Sequence, residues 1–486
     1  MNEIQKGFKK TTDRLNSVGC GMCLAKWTQT TIHLQLGRTH SCHHPDTHKI
    51  PVAEIKKNPG ALHNTRFKKL KRKEMLEGKR PSECDYCWNV EDNSKQYSDR
   101  TFKSGEEWSA PHFEEIVQGP WDKDFNPRYV EIGFSNACNF KCSYCGPSFS
   151  NKWVDEIKEH GGYPTTDVFN GMKWMEETGR MPFHPKDYNP YVEAFWKWWP
   201  DLYRDLHTFR ITGGEPLLAK DTWKILDYII EEPNPNINLT LSINSNLGVP
   251  DKLIDRFIDK INRITDPPAL LHSADSKVKE FHVFTSVDTW GPQAEYIRNG
   301  LEFNRFWDNM HKILSSCPRV SIGIMSTYNA LSVPNYHKLI KGVYDLKKEY
   351  PHPGRAWTTP VTLDASYLRH PWHQTVQVLP QAWAPQVLSH SELAQQYVEA
   401  FENDNMKKNG IGYFVSYGYT DTEVAKLRRI YDWMTAEQDP VVLNRNRGNF
   451  YRFFNAHDER RGTNFCKTFP ELEDFFHECK EISDKL

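Results

Sequence analysis

Between residues 126 and 345, five short apolar runs alternate with longer stretches of helical pattern, and few folds accommodate that rhythm. The runs are 129–134 (YVEIGF), 208–212 (TFRIT), 238–244 (NLTLSIN), 280–287 (EFHVFTSV) and 320–325 (VSIGIM), with helices expected at 222–231 and 252–264. Such alternation predicts an α/β fold with a parallel sheet, open or closed into a barrel. Functional groups in these folds gather at the C-terminal ends of strands. The short motifs of this region lie there, each directly after one of the runs.

The first motif is Ser135-Asn136-Ala137-Cys138-Asn139-Phe140-Lys141-Cys142-Ser143-Tyr144-Cys145, with the spacing C-x3-C-x2-C. Three thiolates on one tight loop can hold three irons of a [4Fe–4S] cube and leave the fourth iron open to an external chelate. A zinc site would normally close its tetrahedron with a fourth protein ligand, and none is nearby in sequence. Thr212-Gly213-Gly214-Glu215-Pro216 follows the second run. Its glycines allow a ligand close approach to the backbone, and the Glu215 carboxylate can accept from an ammonium group.

This combination resembles the radical S-adenosylmethionine superfamily, in which an aromatic residue precedes the last cysteine, as Tyr144 does. The resemblance implies a partial (β/α)6 TIM-like barrel over residues 126–345. It also implies S-adenosylmethionine chelated by the open iron and cleaved by one electron to methionine and a 5′-deoxyadenosyl radical, which takes a hydrogen atom from substrate. By the same resemblance, Gly213, Gly214, Glu215 and Pro216 bind the methionine amino group. Asn246, at the end of Ser242-Ile243-Asn244-Ser245-Asn246, supplies polar contacts. Ser286, Asp288 and Arg298 stand where relatives grip the ribose and carboxylate, and Ile324 lies where relatives cradle adenine with backbone. A surface salt bridge is the plain alternative for Arg298, and an ordinary buried strand is the plain alternative for Ile324. A reductant such as flavodoxin or ferredoxin is the implied electron source.

Eight of the eleven cysteines fall within the first 145 residues, which reads as metal or cluster ligation rather than core filling. Cys23, Gly37 and Cys42 have the spacing C-x13-G-x4-C, and Cys84-Asp85-Tyr86-Cys87-Trp88 adds a C-x2-C pair. This pattern resembles the SPASM and twitch auxiliary-cluster domains, the shorter twitch form best. It implies a second [4Fe–4S] cluster on Cys23, Cys42, Cys84 and Cys87 with no open iron. Here the domain precedes the barrel, as it does in a group of twitch-domain radical enzymes frequent in phage genomes. That likeness extends to Arg460-Arg461-Gly462. A rival remains: Cys20-Gly21-Met22-Cys23 paired with Cys84 and Cys87 makes a four-cysteine zinc pattern, and His40, His43 and His44 crowd Cys42. Cys317, Cys466 and Cys479 read as buried small hydrophobes.

The chain thus divides into an auxiliary iron–sulfur region (1–125), a radical barrel (126–345) and a mostly helical C-terminal region (346–486). The stretch 27–36 reads as a strand turning at Gly37 into a return strand, and 63–78 reads as a basic helix with a solvated face. Among the aromatics of the tail, Trp372, Trp383, Tyr413 and Phe454 read as core. His207 and His282 lie on strand runs as structural histidines, and no acid or base can be nominated.

A formal net charge of −1 favours neither nucleic acid nor membrane as partner. No apolar run approaches the roughly 20 residues that span a bilayer, and the polar N-terminus predicts a cytosolic protein. A peptide or protein side chain is the leading substrate class, with a carbohydrate or nucleoside close behind. The competing classes are a non-catalytic iron–sulfur electron carrier and a zinc-scaffolded binding module.

Overall fold

The computed structural model describes residues 3–94, 96–167, 170–265, 276–352, 354–355, 357, 359–408 and 418–486. Tyr413 lies outside them. Eleven strands run through it: β1 (Gln29–His33), β2 (Arg38–His40), β3 (His48–Lys49), β4 (Tyr129–Gly133), β5 (Lys141–Cys142), β6 (Thr208–Thr212), β7 (Thr240–Asn244), β8 (Glu280–Thr285), β9 (Arg298–Asn299), β10 (Ser321–Tyr328) and β11 (Val361–Tyr367). Nine of them form one sheet in the order β11-β10-β8-β7-β6-β4-β1-β2-β3. Seven neighbours, from β11 to β1, pair in parallel, and β2 and β3 return antiparallel.

The two faces of the sheet differ in chemistry. Ile32, Val130, Ile132, Phe209, Ile211, Leu241, Ile243, Phe281, Val283, Ile322 and Ile324 are at most 1% exposed. They belong to one large core, shared with the buried faces of crossover helices such as Pro190–Asp205, Lys220–Glu231 and Asp251–Thr265. The alternate residues form the inner face, and register aligns Thr31 with Glu131, Arg210, Ser242 and His282 across five strands. Strand alternation therefore creates an apolar outer face under helices and a polar inner face.

The five expected strands are present within a few residues, and the expected helices begin at Lys220 and Asp251. Two features depart from the sequence reading. The C-terminal region supplies a sixth barrel strand, β11, from the alternating run Val361–Tyr367. The hairpin β1–β2 does not stand apart but extends the barrel sheet through β1 and β4. Its turn needs glycine at 37, where φ is +61° and a Cβ would lie 2.3 Å from the Tyr191 ring. A second, smaller core (Leu15, Met22, Leu24, Trp27, Met75, Phe113, Ile116, Phe125) packs beside Cys23 and Cys84.

The basic helix runs over Arg66–Leu76, capped by Thr65. Lys69, Lys71 and Lys73 on it pair with Asp124, Glu74 and Glu77, while Lys68 and Arg72 are buried. Cys317, Cys479 and Phe454 are core residues as expected, but Cys466 is only half-buried and Trp372 is 48% exposed. No helix among the described residues is long and apolar enough to cross a membrane.

Candidate iron–sulfur and cofactor site

The cysteine loop leaves the C-terminal end of β4 and is fixed from several sides. Cys142 lies in β5, opposite Arg298 of β9. The Cys138 N–H donates to Asn151 Oδ1 at 2.8 Å, the Ser143 N–H to Ile297 O at 2.8 Å, and Trp153 Nε1–H to Cys142 O at 3.0 Å. Burial pushes all three thiols above their ordinary value, Cys145 to about 12, so iron ligation would have to displace their protons. No trio among the loop's sulfurs lies mutually within 4.8 Å.

The glycine turn is stitched onto this loop. The Gly214 N–H donates to Ser135 O at 3.0 Å and the Glu215 N–H to Ala137 O at 2.7 Å. Gly213 has φ +116°, and a Cβ on Gly214 would stand 2.4 Å from Ala137 O, so both positions exclude side chains. The Glu215 carboxylate, 1% exposed, accepts from Asn246 N at 2.6 Å, Ser245 Oγ at 2.8 Å and Leu217 N at 3.0 Å. Burial, only partly offset by these bonds, raises it to about 7. Glu215 thus ties the ends of β6 and β7 together, with Pro216 opening the short turn that follows. Asn246 also donates to Asn139 Oδ1 at 2.8 Å, joining β7 to the cysteine loop.

Arg298 is not on the surface. Its side chain is 8% exposed and donates to both Asp288 oxygens, at 2.9 and 3.1 Å, and to the Tyr144 hydroxyl. Tyr144 in turn donates to Asp288 at 2.8 Å, and the Arg298 Nη1 lies 3.7 Å from Cys142 Sγ. Asp288 also accepts from the Thr327 N–H at 2.8 Å. One buried carboxylate therefore links the ends of β8 and β10 to the aromatic residue of the cysteine loop. Ser286 is half-buried on the same strand end. The Ile324 side chain faces the outer core, so only its backbone can meet a ligand on the inner face.

In the N-terminal region Cys23, Cys42, Cys84 and Cys87 line one cavity together with Lys26, His44, Trp88, Arg100 and Lys103. Cys20 is exposed and absent from that lining. Burial first, and then the other three sulfurs, raise Cys23 to about 12. Again no trio of these sulfurs lies mutually within 4.8 Å. The nearby histidines are engaged elsewhere: His44 stacks on Tyr86 and bonds Asp99, His40 bonds Cys42 O, and His43 meets Gln29. The donor set of four cysteines, with cations in the wall, fits a tetrathiolate cluster of net negative charge.

Sequence reasoning missed how the C-terminal region holds the radical loop. Gln374 exchanges two hydrogen bonds with Ser143, at 2.8 and 3.1 Å. Arg461 donates to Lys141 O at 2.6 Å and to both oxygens of Glu156. Arg461 had a signal in the Arg460-Arg461-Gly462 run, where Gly462 ends the helix Pro440–Arg461 in the left-handed conformation. Gln374 had none. His207 bonds Glu107, and His282 stacks on Trp357 on the inner face.

Residues 132–327 match the family model described as the radical SAM superfamily. The GTP 3′,8-cyclase of Sulfurovum sp. (strain NBC37-1) is 25% identical over 164 residues, 33% of this chain and 41% of that protein. The GTP 3′,8-cyclase of Sulfurimonas denitrificans (strain ATCC 33889 / DSM 1251) is 26% identical over 136 residues, 28% of this chain and 33% of that one. The chain therefore spans less than half the length of these curated relatives. A solved structure of native anSMEcpe with bound AdoMet aligns over 57% of this chain and 62% of that one, at 15% identity and a TM-score of 0.31. The matched segment holds the three-cysteine loop, the Gly-Gly-Glu-Pro turn and β6 to β8 in their entirety, and it is this segment that is similar to the radical SAM superfamily.

Proposed function

We propose that this chain is a radical S-adenosylmethionine enzyme with clusters at opposite ends of its parallel strands. Bound at Cys138, Cys142 and Cys145, a [4Fe–4S] cluster and S-adenosylmethionine supply a 5′-deoxyadenosyl radical once a reductant delivers one electron. The chain's own residues do the rest. Gly213 and Gly214 expose backbone beside the cysteine loop. The Glu215–Ser245–Asn246 and Tyr144–Asp288–Arg298 contacts fix the strand ends that would hold the cofactor. The observation that carries the reading is the pair of backbone bonds from Gly214 and Glu215 to Ser135 and Ala137.

The second cluster, on Cys23, Cys42, Cys84 and Cys87, acts in electron transfer. Four cysteine ligands leave it no iron for substrate. Its place supports the role, since α-helical residues Ala25–Thr28 lead from Cys23 into β1, whose far end reaches the level of Gly133 and Gly213. Of the substrate classes, the polar inner face and the names of the two curated relatives favour a nucleoside-like small molecule over a peptide side chain.

Anaerobic reconstitution tests the reading. The protein should take up roughly eight irons and release 5′-deoxyadenosine on reduction with S-adenosylmethionine. Zinc without iron, or clusters without cofactor cleavage, would favour the binding-module or electron-carrier classes. Replacing Cys84 and Cys87 by Ala should preserve cofactor cleavage and abolish turnover; product at normal yield would exclude electron transfer.

A further inference from the structure

The inner face of β1 and its continuation to Gln35 holds a row of polar side chains at every second position, and each has an atom with no hydrogen-bond partner among the described residues. They are Gln29 Oε1, Thr31 Oγ1, His33 Nδ1, and both amide atoms of Gln35. Gln29, Thr31 and Gln35 are at most 2% exposed. Buried polar atoms are satisfied in the great majority of cases, so four such residues along β1 and the turn that follows it call for a common partner. The row ends beside the cofactor turn: a Cβ on Gly133 would stand 2.9 Å from Gln35 Oε1 and 3.3 Å from the Gly213 Cα.

The neighbouring strands add charge. Arg210 sits two strands away, in register with Thr31 through Glu131. Its guanidinium lies 4.1 Å over the Phe284 ring and donates from Nε to Asn244 Oδ1 at 2.8 Å and from Nη2 to Met325 Sδ at 2.9 Å, which leaves Nη1. The carboxylate it pairs with, Glu131, is 3.9 Å away, beyond hydrogen-bond distance. A guanidinium so placed retains capacity for an anion.

We infer that the inner face of β1 and Arg210 together form the substrate wall, and that the substrate is a hydroxyl- or amide-rich small molecule carrying one anionic group. This rests on the radical reading above and deepens it by naming the substrate class. An apolar substrate would leave the row unpaired, and an uncharged one would leave Arg210 with Glu131, at 3.9 Å, as its charge partner.

The test is a thermal-shift and equilibrium-binding panel on the cluster-loaded protein with S-adenosylmethionine. The probes are nucleoside mono-, di- and triphosphates, GTP among them, and hexose phosphates, each beside its uncharged parent. At least one anionic member should raise the melting temperature where its parent does not. Thr31→Val and Gln35→Leu should leave the unliganded melting temperature unchanged or higher, because each removes an unpaired buried atom, yet weaken binding about fivefold or more. Arg210→Gln should abolish the difference between anion and parent, and Arg210→Lys should restore part of it. Absence of any anion-dependent shift overturns the substrate class. Unchanged binding in Thr31→Val and Gln35→Leu overturns the wall. Iron content and 5′-deoxyadenosine, read on the same preparation, report separately on the radical reading.

Discussion

Arg461 holds Glu156 through two hydrogen bonds, of 3.0 and 3.1 Å, across 305 residues of chain. Both side chains are almost wholly buried, at 0% and 2% exposed. Lys141, next to Cys142, donates to the same carboxylate at 2.6 Å, and the Tyr163 hydroxyl does so at 2.6 Å. The helix Pro440–Arg461 is thereby latched to the loop that carries the three cysteines. Removing one partner of such a buried pair costs roughly 3–5 kcal/mol. Arg461→Ala should therefore lower the melting temperature sharply and reduce iron retained at the radical loop, measured by calorimetry and iron content.

The same carboxylate sets a pH dependence. Burial alone would raise Glu156, but the Arg461 hydrogen bonds and charge, followed by Lys141 and Tyr163, outweigh it and bring it to about 2 from an ordinary 4.5. A lowered carboxyl stabilises the fold in its ionised form. That contribution is complete above pH 4.5 and is lost as the pH falls through about 2. Unfolding curves between pH 5 and pH 2 should show a component that Glu156→Gln removes. An identical acid profile in that variant would place the acid sensitivity elsewhere.

Gly214→Ala should abolish cofactor cleavage while sparing the N-terminal cluster. The added Cβ would meet Ala137 O at 2.4 Å, and the obstacle is backbone that cannot rotate away. The turn must then part from the cysteine loop. About four irons per chain and no 5′-deoxyadenosine are the expected readings.

The three-cysteine loop and the glycine turn stitched to it were legible because their signal is local. Cys138, Cys142 and Cys145 share one loop, and Gly213 to Glu215 must be small or acidic where they touch it. The parallel strands were legible because an apolar outer face imposes a pattern on each run. β11 escaped because Val361–Tyr367 follows no motif and lies beyond the stretch of regular alternation. The attachment of β1 to β4 escaped because a hairpin with alternating polarity reads the same whether its edge is free or paired. Arg298 was ambiguous for a related reason: its partner Asp288 is ten residues away, and only the fold decides whether that pair is buried. Gln374 meets Ser143 across 231 residues, a separation that no spacing rule reaches.

Gly37→Val should selectively weaken the proposed N-terminal cluster. The residue has φ +61°, and its Cβ would enter the Tyr191 ring, whose hydroxyl donates to Ile50 O at 3.0 Å. Straightening that turn displaces β2, which ends two residues before Cys42. The variant should lose iron at the N-terminal site and keep 5′-deoxyadenosine formation. Loss of both activities together would mean that the hairpin is needed for the barrel itself.

Lys26 should tune the proposed N-terminal cluster rather than hold it. Its side chain is 2% exposed, lines the cavity of the four cysteines and pairs with Glu83, itself only 16% exposed. Although burial opposes its charge, Cys84, then Glu83, then Cys42 outweigh that and keep it a cation, raised above its ordinary value. A fixed positive charge in a low-dielectric wall favours the more negative, reduced state of a neighbouring cluster. Lys26→Met keeps the length of the side chain and removes the charge. Its cluster should therefore assemble with the same iron content but show a lower midpoint potential in an EPR-monitored redox titration, while the radical cluster keeps its own. An unchanged potential would mean that the charge of Lys26 does not reach the cluster. If Glu83 offsets Lys26 at the cluster, Lys26→Met combined with Glu83→Gln should instead bring the lowered potential back to that of the parent protein.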